Sequence, residues 1–407
     1  MRKWLLVLIS FVMVASMILV SCADGTTPPP PPPPPEKDPY VLGLAGSMTG
    51  PMAVTYLPLI DGIRIYLEAV NDRGGINGRQ VKMLIEDSKS SPSEAATAAR
   101  KLTELGVQLL AAPDGSPTYA AYVVEAKRAN VPVIIGGIAA PQAYPPTPDP
   151  LIYNSMWGAY KSTAVVGYQL AQYGGEGAKG AFLTLDSPAV KIAGEFIVEK
   201  GKEFGLSEVL FKTVPIGTLD LTPVAIAFKE FGAVIATAYG PSAYNTLLAD
   251  ALIKIGYEGD LWLLVPEPPE PYFEKYAGVE NIILALPTVP LEDNWPIHKE
   301  IEAAANKYGV SELNSALNWG WEEGIVLEAI FKDVGWPVTT EKLVEVMEDL
   351  EVKRPFMGTF HWTPEDHAAP ILIRDYTWDE AKGDWVYKPP MVQGDSYGNV
   401  KQLTEIS

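Results

Sequence analysis

Tyr40-Val41-Leu42-Gly43-Leu44-Ala45-Gly46-Ser47-Met48-Thr49-Gly50-Pro51 reads as one short apolar strand running into a turn. The strand stops where glycine, serine and threonine take over from branched and aromatic residues, and Pro51 marks the end of the turn. Apolar residues then recur three and four apart over 56–73, the period of a helix with one buried face. Asn71-Asp72-Arg73-Gly74-Gly75-Ile76-Asn77-Gly78-Arg79 closes that helix, its glycines suited to a C-cap and a tight turn. The same rhythm continues, with strands expected at 40–45, 80–86, 107–112 and 131–136 and helices over 92–105 and 118–129. It resumes with strands near 180–185, 208–214, 233–238, 260–265 and 281–286. Such alternation specifies a doubly wound parallel sheet, here made twice.

Between the two series lie Pro141, Pro145, Pro146, Pro148 and Pro150, a stretch that continues neither a helix nor a central strand. Beyond residue 290 the character changes to helical patterns at about 296–308, 316–333 and 339–350, then β-like segments at 356–362 and 370–376. This tail has too little sheet of its own for a third domain and is expected to pack on the first two. The aromatic end, with Trp378, Trp385 and Tyr387, reads as part of that packing.

Working outward to the N-terminus, Arg2 and Lys3 precede an apolar run over residues 4–20, which ends at Leu19-Val20-Ser21-Cys22. Positive, apolar, small residue, cysteine is the order of a secretory signal ending in a lipobox, so residues 1–21 are expected to be removed and Cys22 lipidated. The competing reading is a transmembrane anchor with a core cysteine. Residues 28–35 are eight prolines, an extended spacer of roughly 25 Å at about 3.1 Å per residue, or else a ligand for a proline-binding module. The chain's 31 Lys and Arg against 50 Asp and Glu make nucleic acid and anionic lipid poor partners. Cys22 is the sole cysteine, so no internal disulfide is available to a fold of 407 residues.

The loops at the carboxyl ends of parallel strands are where a doubly wound sheet holds ligands. In order and spacing, Gly46 to Pro51 and Asn71 to Arg79, together with Ile85-Glu86-Asp87-Ser88, Val131-Pro132-Val133-Ile134-Ile135, Ala238-Tyr239-Gly240 and Val265-Pro266-Glu267, resemble type I periplasmic binding proteins of ABC importers. The branch is that of the leucine/isoleucine/valine-binding proteins, and the resemblance covers about residues 40–375. It implies two α/β lobes joined by a three-segment hinge near 153–156, 287–290 and 360–364. Lobe 1 would comprise 40–154 plus 289–361 and lobe 2 155–288 plus 362–407, after a tether over 22–39.

The resemblance also implies a ligand site. In the family's amino-acid binders a hydroxyl and backbone amides of the first lobe hold the ligand carboxylate, and an acid of the second meets the ammonium. Ser116, in the loop Pro113-Asp114-Gly115-Ser116-Pro117-Thr118, matches the hydroxyl, though Ser116 and Thr118 equally suit a helix cap. Glu267 matches the ammonium-binding acid, or is a solvated loop acid among Pro266, Pro268 and Pro269. Tyr56 and Tyr239 match ligand-facing aromatics and equally suit ordinary packing. The loop from Ile138 departs from the pattern, with Ala140 where a threonine is usual, and Val190 stands where a tyrosine is common. Trp157, past the crossover, would enlarge an aromatic wall or pack in the hinge.

Enzyme chemistry finds little support. No Gly-x-Ser-x-Gly elbow occurs, and Gly174 to Gly180 precedes a strand and lacks a hydroxyl residue after Lys179. His361 and His367 are separated by Pro364, a poor spacing for metal, and no cofactor is expected. The expectation is an extracytoplasmic, lipid-anchored binding protein that hands a small organic ligand to ABC permease subunits. A branched-chain or other amino acid is the first ligand, an aromatic acid or short amide the next. The alternative is a ligand-sensing receptor component of a signalling system built on the same fold.

Overall fold

The computed structural model describes residues 37–115, 117–136, 141–155, 163–186, 188–215, 217–239, 242–265 and 268–404. Residues 38–407 form one compact unit.

Two sheets organise it. The first is built from β1 (Tyr40–Gly46), β2 (Val81–Asp87), β3 (Leu109–Ala112), β4 (Val133–Ile135) and β5 (Ile152–Asn154), in the order β2-β1-β3-β4-β5, all parallel. Its helices are α1 (Ala53–Asp72), α2 (Pro92–Glu104) and α3 (Tyr119–Ala129). Both faces are covered, which explains the uninterrupted apolar runs of its strands. Leu109 and Ala111 point into one apolar cluster with Leu42 and Leu44, whereas Leu110 and Ala112 point into another with Ala95, Leu102 and Tyr122. Helix α1 starts at Ala53, ahead of the expected residue 56, and takes Pro58 inside at the loss of one amide donor.

The second sheet carries eight strands in the order β15-β14-β13-β10-β9-β8-β6-β7. Its parallel part, β6 (Lys179–Leu185), β7 (Glu208–Val214), β8 (Ile235–Tyr239), β9 (Asp260–Leu264) and β10 (Ile282–Leu286), repeats the first sheet's connectivity with helices α4 (Ala164–Gly174), α5 (Pro188–Glu203), α6 (Thr222–Phe231), α7 (Ser242–Lys254) and α8 (Glu270–Lys275). The tail strand expected near 370–376 joins this parallel sheet. The strands β13 (Ile371–Asp379), β14 (Asp384–Gly394) and β15 (Val400–Leu403) add an antiparallel extension to β10. Trp385 and Tyr387 thus lie on a strand, where Trp385 donates its indole N–H to the Phe273 carbonyl at 2.9 Å.

The chain passes from one sheet to the other between β5 and β6, after β10, and between β13 and the two-stranded β11 (Glu351–Arg354)–β12 (Gly358–His361) ladder. Between the last two passages come helices α9 (Pro296–Lys307), α10 (Ala316–Val334) and α11 (Thr340–Met347). Helix α10 lies directly on α1, backbone against backbone. A Cβ built on Gly62 would sit 2.5 Å from the Leu317 carbonyl oxygen, and one on Gly320 would sit 1.9 Å from that of Leu59.

Helix α10 also holds the first two passages and the turn of the β11–β12 ladder that leads into the third. Asn318 donates to the Val289 carbonyl at 2.7 Å, Glu323 accepts from the Ser155 hydroxyl, and Glu322 accepts from the amides of Phe356 and, at 2.9 Å, Met357. The first and third passages are laced together as well: Asn154 donates its amide to the His367 carbonyl at 2.8 Å and accepts from Ala369 at 2.9 Å.

Candidate functional site

Each sheet has a topological switch point, where successive connections leave to opposite sides and a crevice opens at the strands' carboxyl ends. In the first sheet it lies between β1 and β3, in the second between β6 and β8. The segments just beyond these strands, 47–52 and 113–118 on one side and 186–187 and 239–241 on the other, are therefore the first places to look for a ligand.

A buried carboxylate organises the first crevice. Asp114 is 1% exposed. Its Oδ1 accepts from the Ser47 hydroxyl at 2.6 Å and from the Gly115 amide at 2.8 Å. Its Oδ2 accepts from the Ser88 hydroxyl at 2.6 Å and the Tyr122 hydroxyl at 2.8 Å. One side chain so binds the loops after β1, β2 and β3 to the first turns of α3. Burial, reinforced by the Asp114 charge, pushes the Tyr122 phenol far up, which keeps it a donor.

A second carboxylate braces the rim. Asp87 Oδ1 accepts from the amides of Met48 at 3.0 Å, Thr49 at 3.2 Å and Lys89 at 2.8 Å, and its Oδ2 takes the Thr49 hydroxyl at 2.6 Å. Burial works to raise its pKa, but these four donors outweigh it and hold the carboxyl below its ordinary value. Neither acid needs a cation, because each is satisfied by hydroxyls and amides.

Of the expected ligand residues, three lie in the described part. Thr118 is fully buried at the N-cap of α3, yet its hydroxyl caps no helical amide and donates instead to the Gly115 carbonyl at 2.8 Å. Tyr56 is half-buried on α1 and packs on the large core cluster. Tyr239 ends β8 at the second switch point; its carbonyl accepts from the Thr184 hydroxyl at 2.8 Å, and its own phenol is buried with no hydrogen-bond partner among the described residues. Burial raises that phenol's pKa, so it remains a hydroxyl able to donate. Ser116, Ile138, Ala140, Trp157 and Glu267 lie outside the described residues, as does Cys22, and so does the side chain of Val190.

The sequence reading did not assign a role to Asp114, Ser47, Ser88 or Tyr122. The available signal was Asp114 itself: an acid two residues past a wholly apolar strand has little access to water and needs donors from neighbouring loops. His367, set aside as a metal ligand, is buried, stacks on Tyr153 with centroids 4.1 Å apart and has Nδ1 3.0 Å from the Ile152 carbonyl. Among the described residues no group of three or more His, Cys, Asp and Glu side chains is arranged to hold a metal ion.

Comparison with known proteins agrees with this layout. The chain is 24% identical over 200 residues to Leu/Ile/Val-binding protein homolog 1 of Brucella abortus, a match covering 47% of this chain and 51% of that protein. The chain thus spans about half the length of the curated relatives it matches. Among solved structures it is similar to the closed leucine-, isoleucine-, valine-, threonine- and alanine-binding protein of Brucella ovis, with a TM-score of 0.72 and 17% identity over 89% of this chain and 96% of that one. It is also similar to a solute-binding protein of an ABC transporter from Rhodopseudomonas palustris in complex with 3,4-dihydroxybenzoic acid, with a TM-score of 0.67 and 18% identity over 88% and 98%. The family model described as periplasmic binding protein matches residues 39–382, which include both sheets' switch points and all three passages between them; the chain belongs to the periplasmic binding protein family.

Proposed function

We propose that the chain is the extracytoplasmic solute-binding component of an ABC importer, capturing a small organic ligand between two lobes and presenting it to permease subunits. The observation that carries this reading is the pairing of two switch-point sheets in one unit, one crevice braced by Asp114 and the other ending in the unpartnered Tyr239 phenol. Lobe 1 comprises 40–154 plus 289–361 and lobe 2 155–288 plus 362–407, closing about the three passages. Closure is driven by the ligand's better contacts with the closed state. Cys22 carries the lipid and residues 22–39 the tether.

In this reading Ser116 and the amides around it receive an anionic group of the ligand, and Glu267 receives an amine, amide or hydroxyl. Tyr56, Tyr239 and Trp157 flank its body, beside Ile138 and Ala140. An amino acid is the first choice, because Ser116 and Glu267 supply both halves of a zwitterion clamp. Aromatic acids and short amides follow, because Ala140 and Val190 lack the expected hydroxyl and phenol.

The test is thermal unfolding of the full chain against amino acids, aromatic acids, amides and sugars, since a ligand that binds only the native state raises its melting temperature. For an amine-bearing hit, Glu267→Ala is expected to weaken affinity at least tenfold, about 1.4 kcal/mol. Unchanged affinity in the folded variant would remove Glu267 from the site, and a panel without any hit would count against the transport reading.

A further inference from the structure

Away from both switch points, a cavity of about 470 Å³ lies where the passages meet the antiparallel extension. Its walls are drawn from the segment after β10 (Asp293, Trp295), from β11 (Lys353, Arg354) and from β13 and β14 (Arg374, Tyr387). That volume falls in the range of about 300–1,000 Å³ typical of small-molecule sites.

Its charge runs against the rest of the molecule. The sequence has 50 acids and 31 Lys and Arg, yet this lining offers three cations to one carboxylate. The carboxylate, Asp293, is engaged by the Tyr376 hydroxyl at 2.5 Å.

The two arginines are each 2% exposed and neither has its donors used up. Arg354 donates through Nη1 to the Ser155 carbonyl at 2.5 Å and reaches the Gly358 carbonyl through Nε at 3.4 Å, and its Nη2 has no partner among the described residues. Arg374 donates through Nη2 to the Phe356 carbonyl, and its Nη1 has no partner among the described residues. The Tyr387 hydroxyl is also buried without a partner among them. Glu322 and Glu323 are internal counter-charges, but Glu322 Oε1 is committed to the amides of Phe356 and Met357, its Oε2 reaches neither guanidinium by a hydrogen bond among the described residues, and burial raises its carboxyl toward the neutral form. Two buried guanidinium groups with open N–H groups form an unusual and costly arrangement unless an acceptor completes it.

We propose that this cavity is an anion site, separate from the crevice between the sheets, which takes the oxyanion group of a small solute: a carboxylate or a phosphate. Arg354 and Arg374 supply charge-assisted donors, Lys353 stands exposed at the mouth, and Trp295 with Tyr387 provides apolar walls for an organic body. Because its lining comes from the segment after β10, the β11–β12 ladder and the antiparallel extension of the second sheet, an occupant would be held by both halves of the molecule.

The experiment titrates the full chain with benzoate and with inorganic phosphate by calorimetry, using benzamide as the uncharged control. Saturable binding of either anion, with none of benzamide, is expected; the better anion identifies the source. Arg374→Gln is expected to raise Kd at least tenfold through the loss of a charge-assisted donor. Should that buried substitution prevent folding, Lys353→Gln and Tyr387→Phe, at a rim position and a half-buried one, are each expected to raise Kd about threefold. Benzoate bound equally by wild type, Lys353→Gln and Tyr387→Phe would place binding elsewhere and overturn the proposal. So would the absence of any anion binding, which would leave Glu322, Glu323 and Asp293 as the arginines' counter-charges.

Discussion

Asp114 shows how a single side chain can fix a crevice. It has four donors from four positions and no cation, so its charge is stabilised entirely by oriented hydroxyls and one amide. Asp114→Asn would point an amide NH2 at groups that already donate, leaving buried hydroxyls facing a donor. The expected loss is about 2–4 kcal/mol of unfolding free energy. Ser88→Ala removes one donor and leaves three, and about 1 kcal/mol is expected. Urea unfolding of both variants checks the ranking; equal losses would mean that Asp114 is not the centre of the network. The site was legible in the sequence only as far as loops. The strand-then-loop pattern pointed to the segment after β3 and the end of β8, where Thr118 and Tyr239 are found, but the hydroxyls that meet Asp114 come from positions 47, 88 and 122. Their convergence depends on the strand order β2-β1-β3, which no local pattern encodes.

At the scale of elements, the parallel strands were legible because both of their faces are buried, so their apolar runs carry no alternation to misread. Strands β14 and β15 were not. Strand β14 contains Lys388, Pro389 and Pro390, and a proline within a run argues against a strand. What makes it one is its partner β13, which pairs with it from Ile371–Gly394 to Asp379–Asp384 across a register shift. The α1–α10 contact is likewise decided between elements. Gly62 and Gly320 face each other closely enough that the Gly320→Ala methyl would fall 1.9 Å from the Leu59 carbonyl oxygen, a backbone atom that cannot swing aside. The two helices would have to separate, opening the packing of Leu59, Ile63 and Leu317, all fully buried. A destabilisation above about 3 kcal/mol is expected, far beyond the change in helix propensity, which favours alanine by about 1 kcal/mol. A thermal unfolding scan checks it, and a rise in melting temperature would mean that the helices do not meet at these glycines.

For the molecule as a whole, the two-sheet layout could be read from the sequence, but the way its passages are tied could not. The signal was present as Glu322-Glu323 inside the apolar stretch from Trp319 to Leu327, since acids on a buried helix must find partners. Those partners come from residues 155, 356 and 357, far along the chain. Burial in this knot raises the Glu323 carboxyl to about 7, against the opposing effects of the Ser155 hydrogen bond and the Arg354 charge. In the second sheet Asp375 is likewise raised to about 7 by burial, against donations from Trp262, Tyr173 and Gln169. An unfolded chain releases these protons near the ordinary values of 4.5 and 3.8. Between those values and about 7 the native state therefore binds more protons than the unfolded one, and stability falls as pH rises through that window. For Glu323 the span from 4.5 to about 7 corresponds to a loss of about 3 kcal/mol at most. Asp87 acts in the opposite sense, losing its contribution only as pH falls below the ordinary carboxylate range, so measurements above pH 5 leave it aside. Glu323→Gln keeps an acceptor for Ser155 without a titrating proton. Its unfolding free energy is expected to change less between pH 5.5 and pH 8 than that of the wild type, the residual slope belonging to Asp375 and Asp366, whose carboxyls burial raises, set against His298 and His367, whose imidazoles burial lowers. Identical slopes in the two proteins would show that Glu323 is ionised throughout, and that Arg354 neutralises it more fully than burial penalises it.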